Sequence, residues 1–374
     1  MDRVCPCWVV GEYAKNDSQE LGEVPFYQNL KKENEDQKRT IERLLLLRAQ
    51  LKRDIPERTQ KNTLLLATWN IREFDSKKYG PRVDEAIYYI AEIIDHFDLV
   101  AVQEVNKDLK ALKDLIQILG SNWDYIFTDT TLGVRGNEER MVFLFDKRKV
   151  SFEGLAGELV LPDETKEGKR VLAQQLARTP FICGFKAGWI KFVLATVHIL
   201  YGSSKAEPPE RIEEIRQVAR RLKEMTEDKD AWARNLILLG DFNIFRPENK
   251  TFQEIINAGF EIPQALQNLP TNVEKNKFYD QIAFMNRKYK LEGTGKAGVF
   301  NYYETVFRDT PEDEQTYRHL MPTLEVTTDG TPRTEKSKAA YYKTWRTFQM
   351  SDHLPMWVEL KIDYTDEYLQ RGLK

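Results

Sequence analysis

Apolar runs alternate with amphipathic stretches along most of this chain. Eight short runs are typical of strands buried on both faces, at residues 64–69, 98–102, 141–145, 181–185, 192–197, 236–239, 279–284 and 356–360. Apolar residues recur at helical spacing between several of them, over 83–94, 109–119 and 212–225. This interleaving predicts an α/β (α+β) fold in which helices cover the faces of mixed sheets.

The N-terminal part of the chain has a different pattern. Residues 1 to about 26 carry little periodicity, whereas residues 28–53 are charged and favour a helix that Pro56 ends. Five apolar side chains of this stretch lie on one side of a helical wheel: Ile41, Leu44, Leu45, Leu47 and Leu51. We expect a helix that packs on the body of the protein. A protein partner or dimerisation through this helix is the alternative.

One late segment is polar rather than periodic. Residues 309–343 contain a turn signal at 328–332, which predicts an elaborated loop and not a separate domain. No internal repeat is evident in the sequence. We therefore predict an N-terminal extension over residues 1–62 and one domain over residues 63–374, with a polar insertion near 309–343.

Composition narrows the class of protein. The 374 residues are 41% hydrophobic, enough for a full core, and their net charge of −3 argues against a non-catalytic, high-affinity DNA-binding role. The three cysteines have neither a disulfide framework nor zinc-ligand spacing, which indicates a reducing compartment. No stretch has the pattern of a signal peptide or the length of a membrane span. We expect a soluble, cytoplasmic protein without a membrane span.

Asp241 and Asn243 follow the apolar run at 236–239 and Gly240. Residues two apart in an extended strand point the same way, so both side chains would project beyond the sheet edge. Strand ends that carry Asp and Asn often form metal or phosphate sites. The alternative is an Asx turn, which these residues also favour.

Similar polar residues follow or precede other predicted strands: Asn70, Glu104, Glu139, His198, Asp280, Asp352 and His353. Two of the four histidines in the chain are in this set. Oxygen ligands with imidazoles and without cysteine suit Mg²⁺, or Mn²⁺, better than zinc. The alternatives are a core histidine at His198 and a turn cap at Asp352. Glycine-rich phosphate loops and a GxSxG elbow are absent from the sequence, which points to metal-assisted hydrolysis of a phosphoester.

Eight motifs in order resemble the endonuclease/exonuclease/phosphatase superfamily, and most closely its deoxyribonuclease I-like branch. The motifs are WNIREF, DLVAVQEV, EERMVFLF, RTPF, ATVHILYG, LLGDFNIF, YDQIAF and MSDHLP. The resemblance extends over about residues 63–361. It implies a four-layer sandwich in which two mixed β-sheets pack face to face between helices.

The resemblance also implies roles for the strand-end residues. Glu104 would be the principal Mg²⁺ ligand with Asn70 beside it, and Asp352 would complete the acidic metal cluster. His198 and His353 would be the catalytic imidazoles, the first oriented by Glu139 and the second by Asp280. Asp241 and Asn243 would bind metal, water or phosphate oxygen. Arg178 and Arg140 would contact a phosphate oxygen or brace an acid, and bracing is favoured for Arg140.

The sequence indicates the substrate less narrowly than it indicates the chemistry. Asn106 and Asn137 stand where the deoxyribonuclease I-like branch has a minor-groove Arg and Tyr, and the disulfide cysteines of that branch are missing. Basic residues at 211, 216, 220, 221 and 223 predict a solvated helix face, and His96 and His319 are predicted to lie on the surface.

The sequence thus predicts an Mg²⁺-dependent phosphodiesterase, an endonuclease that hydrolyses DNA or RNA by metal-assisted attack of water. The first alternative is a phosphoesterase acting on a lipid headgroup or a small nucleotide. The second is a catalytically silent interaction module.

Overall fold

The computed structural model describes residues 25–74, 80–130, 139–166, 169–171, 175–232, 235–285 and 291–373. Its strands are β1 Thr63–Phe74, β2 Leu99–Val105, β3 Trp123–Phe127, β4 Arg140–Asp146, β5 Val150–Glu158, β6 Glu164–Lys166, β7 Lys169–Val171, β8 Phe181–Ala187, β9 Ile190–His198, β10 Leu236–Asp241, β11 Asp280–Met285, β12 Gly293–Val299 and β13 Met356–Lys361. Its α-helices are α1 Glu35–Asp54, α2 Asp84–Asp95, α3 Lys110–Leu119, α4 Pro209–Glu227, α5 Lys250–Asn257, α6 Pro311–Tyr317, α7 Glu335–Gln349 and α8 Thr365–Gly372. Short 3₁₀ turns occur at Tyr302–Glu304 and Arg318–Leu320.

Two mixed sheets form the centre of the fold. One has six strands in the order β12-β13-β1-β2-β4-β3, and the other has five in the order β11-β10-β9-β8-β5. Each sheet contains one parallel pair, β1 with β2 and β9 with β10, and its other pairs are antiparallel. The predicted fold class is confirmed.

The apolar runs are continuous because each central strand is covered on both faces. In β1, Leu64 and Leu66 pack between the two sheets, whereas Leu65 and Ala67 pack under helices. This is the two-residue alternation of a strand. Helices α2 and α3 cover the outer face of the six-stranded sheet, and α4 and α5 cover the five-stranded one, which makes four layers.

Helix α1 packs against α2, so the prediction of a helix packed on the body is confirmed. Leu44, Leu47 and Leu51 are buried, but Leu45 is 64% exposed, and its placement on the apolar side was wrong. Ion pairs help to join the two helices, with Arg39 to Glu85 at 2.7 Å and Arg48 to Glu92 at 2.7 Å.

The segment at 309–343 is not an unstructured loop. It contains α6 and the first part of α7, and each helix begins after a threonine whose hydroxyl accepts a backbone N–H, Thr310 from Asp313 and Thr334 from Ser337. Tyr342 and Trp345 of α7 are buried under the six-stranded sheet. The polar outer surface of these short helices concealed their periodicity in the sequence.

Among the described residues, no helix is both long enough and apolar enough to cross a bilayer.

The two histidines outside the candidate site differ in exposure. His319 is 57% exposed, as predicted. His96 is half-buried instead of lying on the surface, because it caps the C-terminal end of α2. Burial, together with the positive charges of Arg48, Arg58 and Lys52, lowers the pKa of His96 from 6.5 to about 4.

This depressed pKa predicts a pH-dependent contribution to stability. The unfolded chain takes up a proton on His96 below pH 6.5, while the folded chain resists it down to about pH 4, so stability is lost as the pH falls through this window. We expect the loss to be on the order of 2–3 kcal/mol at the acidic end. The measurement is urea unfolding of the protein and of His96→Gln at several pH values, because the difference between them isolates this residue. His319→Gln is the control, and a pH-independent difference for His96→Gln would contradict the prediction.

Candidate active site

Strand register brings three predicted site residues into one row. Asp241, the last residue of β10, pairs with His198 of β9 on one side and with Asp280 of β11 on the other. Residues directly opposite each other on neighbouring strands point to the same face, so these three side chains meet. They lie where the parallel pairs β9–β10 and β1–β2 end, the edge at which open α/β sheets commonly bind ligands.

Gly240 is required at the end of β10. Its φ is +130°, and a Cβ at this position would lie 2.2 Å from the carbonyl oxygen of Val197 in β9. Only glycine combines that backbone conformation with so close an approach. The glycine therefore holds β10 against β9 immediately before Asp241.

Glu104 has an unusual backbone conformation. Its φ is +62°, in the left-handed region, at a break in the β2–β4 register between Val102 and Val105. The backbone N–H of Glu73, itself at φ +39°, donates to Glu104 Oε2 at 2.7 Å. Backbone strain of this kind persists where surrounding structure enforces it, and it is frequent at functional sites.

Asn70 joins the two sheets at the floor of the cleft. Its Nδ2 donates to Glu104 Oε1 at 2.9 Å and to Asp241 Oδ2 at 3.0 Å. Its Oδ1 is buried and has no hydrogen-bond partner within the described part of the chain. A buried, unpaired amide oxygen on a side chain that contacts two carboxylates fits a cation, since an amide oxygen and carboxylates are ligands of Mg²⁺.

The first imidazole is held by Glu139. His198 Nδ1 lies 2.9 Å from Glu139 Oε2, and its Nε2 lies 3.6 Å from Asp241 Oδ2 and 3.8 Å from Glu104 Oε1. Burial and the nearby Arg178 guanidinium lower the pKa of His198, but the carboxylates of Glu139 and Asp241 outweigh them and raise it above the ordinary value.

The second imidazole has the same arrangement. His353 Nδ1 lies 2.8 Å from Asp280 Oδ2, and its Nε2 lies 3.8 Å from Asp241 Oδ2. Burial opposes protonation, but the charges of Asp280 and Asp241 hold the pKa of His353 well above its ordinary value. Both Nε2 atoms thus face the same oxygen of Asp241.

Asp241 forms the predicted turn, and its second carboxylate oxygen faces the other candidate residues. The backbone N–H of Asn243, at φ +53°, donates to Asp241 Oδ1 at 2.8 Å, which is an Asx-turn contact. The other oxygen, Oδ2, faces Asn70 and the two histidines. The side-chain amide of Asn243 donates to the carbonyl of Ile199 at 2.7 Å.

Three further predicted site residues, Arg178, Arg140 and Asp352, lie outside the two imidazole–carboxylate pairs. Arg178 Nε donates to Glu139 Oε2 at 2.8 Å, so this arginine braces an acid, one of the two roles that the sequence left open for it. Arg140 Nη1 donates to the carbonyl of Thr128 at 2.9 Å. Asp352 is half-buried, with Oδ2 3.7 Å from Arg72 Nη1.

Arg211 was missed by the sequence reasoning. It was placed on a solvated helix face, but it is fully buried and donates to the carbonyls of Tyr201, of Ser203 at 3.0 Å and of Asn243 at 2.8 Å. It thereby ties the loop after His198 to the end of β10. Helical spacing could have identified it, since Arg211 lies four residues before the buried Ile215.

The ligand atoms form two compact groups. Glu104, Glu139 and His198 form one group, and Asp241, Asp280 and His353 form the other, with the atoms of each within 4.8 Å of one another. Burial raises the pKa of Glu104, His198 lowers it, and the charges of Glu139 and Asp352 raise it further. A divalent cation would neutralise such a concentration of carboxylates.

Comparison with known proteins identifies one curated relative by sequence. No protein-family model matches the chain. It is 32% identical over 186 residues to a protein from Thioalkalivibrio sp. (strain K90mix) named deoxyribonuclease. The alignment covers 48% of this chain and 46% of that relative, so the chain spans about half the length of the curated relative it matches.

Solved structures give the architecture. An endonuclease/exonuclease/phosphatase from Bacteroides vulgatus superposes with a TM-score of 0.50 at 16% identity, over 81% of this chain and 100% of that one. The chain has the endonuclease/exonuclease/phosphatase fold. A second member of that family, from Bacteroides thetaiotaomicron, has a TM-score of 0.48 at 17% identity and covers 81% of this chain and 98% of its own. The fold that the ordered motifs implied is confirmed.

Gly240 provides a test of how this fold holds its site. We expect Gly240→Ala to lower the free energy of unfolding by on the order of 2 kcal/mol or more, because the new Cβ meets a backbone oxygen and strains a positive φ. Gly330→Ala is the matched control, since Gly330 has φ +84° with open space around it. Urea unfolding of both variants gives the two values, and equal losses would show that the contact with Val197 is unimportant.

Proposed function

We propose that this protein is a divalent-metal-dependent phosphodiesterase, and that it is an endonuclease acting on DNA or RNA. One observation carries the proposal: two imidazole–carboxylate pairs direct their Nε2 atoms at a shared Asp241 oxygen, above the floor formed by Asn70 and Glu104. The names of the curated relative and of the fold neighbour support a phosphoester hydrolase.

The two histidines supply acid and base. Glu139 holds His198 and Asp280 holds His353 through Nδ1, which leaves each Nε2 free to exchange a proton inside the cleft. One imidazole takes the proton of the attacking water and the other donates a proton to the leaving oxygen. Asp241 lies between them and stabilises whichever imidazole carries the positive charge.

A divalent cation fits beside Glu104 and the unpaired Oδ1 of Asn70. Asp241 and Asp352 complete the acidic set that we propose around it. When bound, such a cation, Mg²⁺ or alternatively Mn²⁺, would neutralise a phosphate oxygen and the charge that develops during hydrolysis. Arg178 contributes indirectly, because it braces Glu139 and therefore the orientation of His198.

The proposal of a nucleic acid substrate goes further than the proposal of phosphodiester hydrolysis. The curated relative is named deoxyribonuclease, and this supports nucleic acid over a lipid headgroup or a small nucleotide.

A cytoplasmic location and a protein partner at α1 stay predictions. Leu45 and Leu46 are the exposed apolar residues of α1 that such a partner would contact.

The proposed chemistry makes a direct prediction. Purified protein should cleave plasmid DNA, single-stranded DNA or RNA with Mg²⁺ and lose this activity in EDTA. His198→Ala and His353→Ala should each lower kcat by about 10²- to 10⁴-fold, because each removes a proton-transfer group. Glu104→Ala should weaken the response to Mg²⁺. Gel-based cleavage assays and Mg²⁺ titrations measure these effects.

His319→Ala is the control, because this histidine is exposed and lies outside both ligand groups. Cleavage that survives EDTA, or that is unchanged in both His198→Ala and Glu104→Ala, would refute the mechanism. Activity on a soluble phosphodiester but on no nucleic acid would favour the small-substrate alternative. Absence of both turnover and metal binding would favour the silent module.

A further inference from the structure

An aromatic series extends from His353 to the rim of the cleft. It consists of Tyr279, Phe245 and Tyr201. The ring centroid of Tyr279 lies 5.3 Å from that of His353 at an interplanar angle of 30°. Phe245 follows at 5.9 Å from Tyr279, and Tyr201 follows at 6.1 Å from Phe245. The rings therefore form a continuous line of contacts that begins at a proposed catalytic group.

The three rings differ in exposure along this line. Phe245 is buried, Tyr279 is half-buried, and Tyr201 at the outer end is 43% exposed. An exposed large aromatic side chain is informative where it borders a site, because the folded chain gains little from leaving it in water. The outer ring of the series is thus available to a ligand.

Cations lie against the same rings. The guanidinium carbon of Arg211 is 5.1 Å from the centroids of both Tyr201 and Phe245, and Lys277 Nζ is 3.6 Å from the centroid of Phe245. Arg211 also binds the carbonyl oxygens of Tyr201 and Asn243. Because Arg211 is buried, these contacts hold the Tyr201 backbone in one position relative to the end of β10.

We propose that the aromatic series, together with Lys277, binds one single-stranded segment of nucleic acid and gives the enzyme a preference for single strands over duplex. The proposal rests on the proposed function, since the scissile phosphate would lie at His353 and the neighbouring bases on Tyr279 and Tyr201, with the buried Phe245 holding the two tyrosine rings in line. Unpaired bases expose their faces to aromatic side chains, whereas paired bases are stacked on each other and do not.

The charge of the protein agrees with this mode of binding. A duplex is held mainly by many Lys and Arg contacts to phosphates, but this chain has a net charge of −3, and Asn106 follows the QEV motif. Stacking needs no large basic surface, because each base–aromatic contact contributes about 1–3 kcal/mol by itself. Lys277 adds a positive charge beside the path of the strand.

Binding of labelled oligonucleotides tests the proposal. The probes are a fluorescein-labelled oligothymidylate and a mixed-sequence duplex of equal length, measured by anisotropy in EDTA so that hydrolysis does not intervene. We expect the protein to bind the single strand more tightly than the duplex. Tyr201→Ala should weaken single-strand binding by about 5- to 100-fold, the loss of one stacked base, and should alter duplex binding little. Tyr201→Trp, which keeps an aromatic face, should restore binding.

Tyr368→Ala is the matched control, because Tyr368 of α8 is 63% exposed and lies outside the series. Thermal unfolding of each variant shows whether it is folded. The titration is repeated with Mg²⁺ in the His198→Ala background, with the probe checked for intactness on a gel. Duplex binding that equals or exceeds single-strand binding would overturn the proposal, as would equal effects of Tyr201→Ala and Tyr368→Ala.

The two proposals fail in different ways. If Tyr201-dependent binding of the single strand is found but no nucleic acid is cleaved under any condition, the proposed function is wrong and the binding surface stands. If nucleic acid is cleaved but Tyr201→Ala leaves the KM for single strands unchanged, the proposed function stands and the surface is wrong.

Discussion

The hydrogen bonds from Asn70 to Glu104 and Asp241 are the contacts on which the site depends. Asn70 and Glu104 belong to the six-stranded sheet and Asp241 to the five-stranded sheet, so one buried amide fixes the distance between the sheets at the floor of the cleft. Both bonds go to carboxylates and are shielded from water, which makes them stronger than ordinary hydrogen bonds. The Asp241 oxygen that Asn70 holds also faces both imidazoles. This hydrogen bond therefore helps to set the positions of His198 and His353 relative to Asp241.

The site also concentrates backbone strain. Glu104 and Asn243 have positive φ values, and Gly240 has a conformation that side chains rarely tolerate. Such conformations cost free energy, and they persist because the packed core above them leaves the chain no alternative. Aromatic contacts between the sheets, such as Phe143 with Phe181 at 5.1 Å, are part of that core. A rigidly packed interior therefore supports the strained backbone around the site, which is the arrangement that a preorganised site requires.

The sequence predicted the strand ends well, because strands buried on both faces read as uninterrupted apolar runs and the polar residue after each run is conspicuous. It predicted the roles of buried charges poorly. Arg211 was grouped with solvated neighbours because its residue type, rather than its position on the helix, decided the interpretation, and it is buried. The positive φ at Glu104 depends on tertiary contacts that no local pattern contains, whereas the helices within 309–343 were missed because their polar outer surface conceals their periodicity.

The acidity of the cleft explains why the proposed site needs both a cation and aromatic rings. Glu104, Glu139, Asp241, Asp280 and Asp352 would repel a phosphate, and Arg178 offsets only one of them because it is bound to Glu139. A divalent cation reverses the local sign at the scissile phosphate alone. Its attraction weakens along the strand, since screening acts over about 8 Å at physiological salt. Uncharged stacking on Tyr201 and Tyr279 is therefore the form of attraction that the acidic cleft does not weaken.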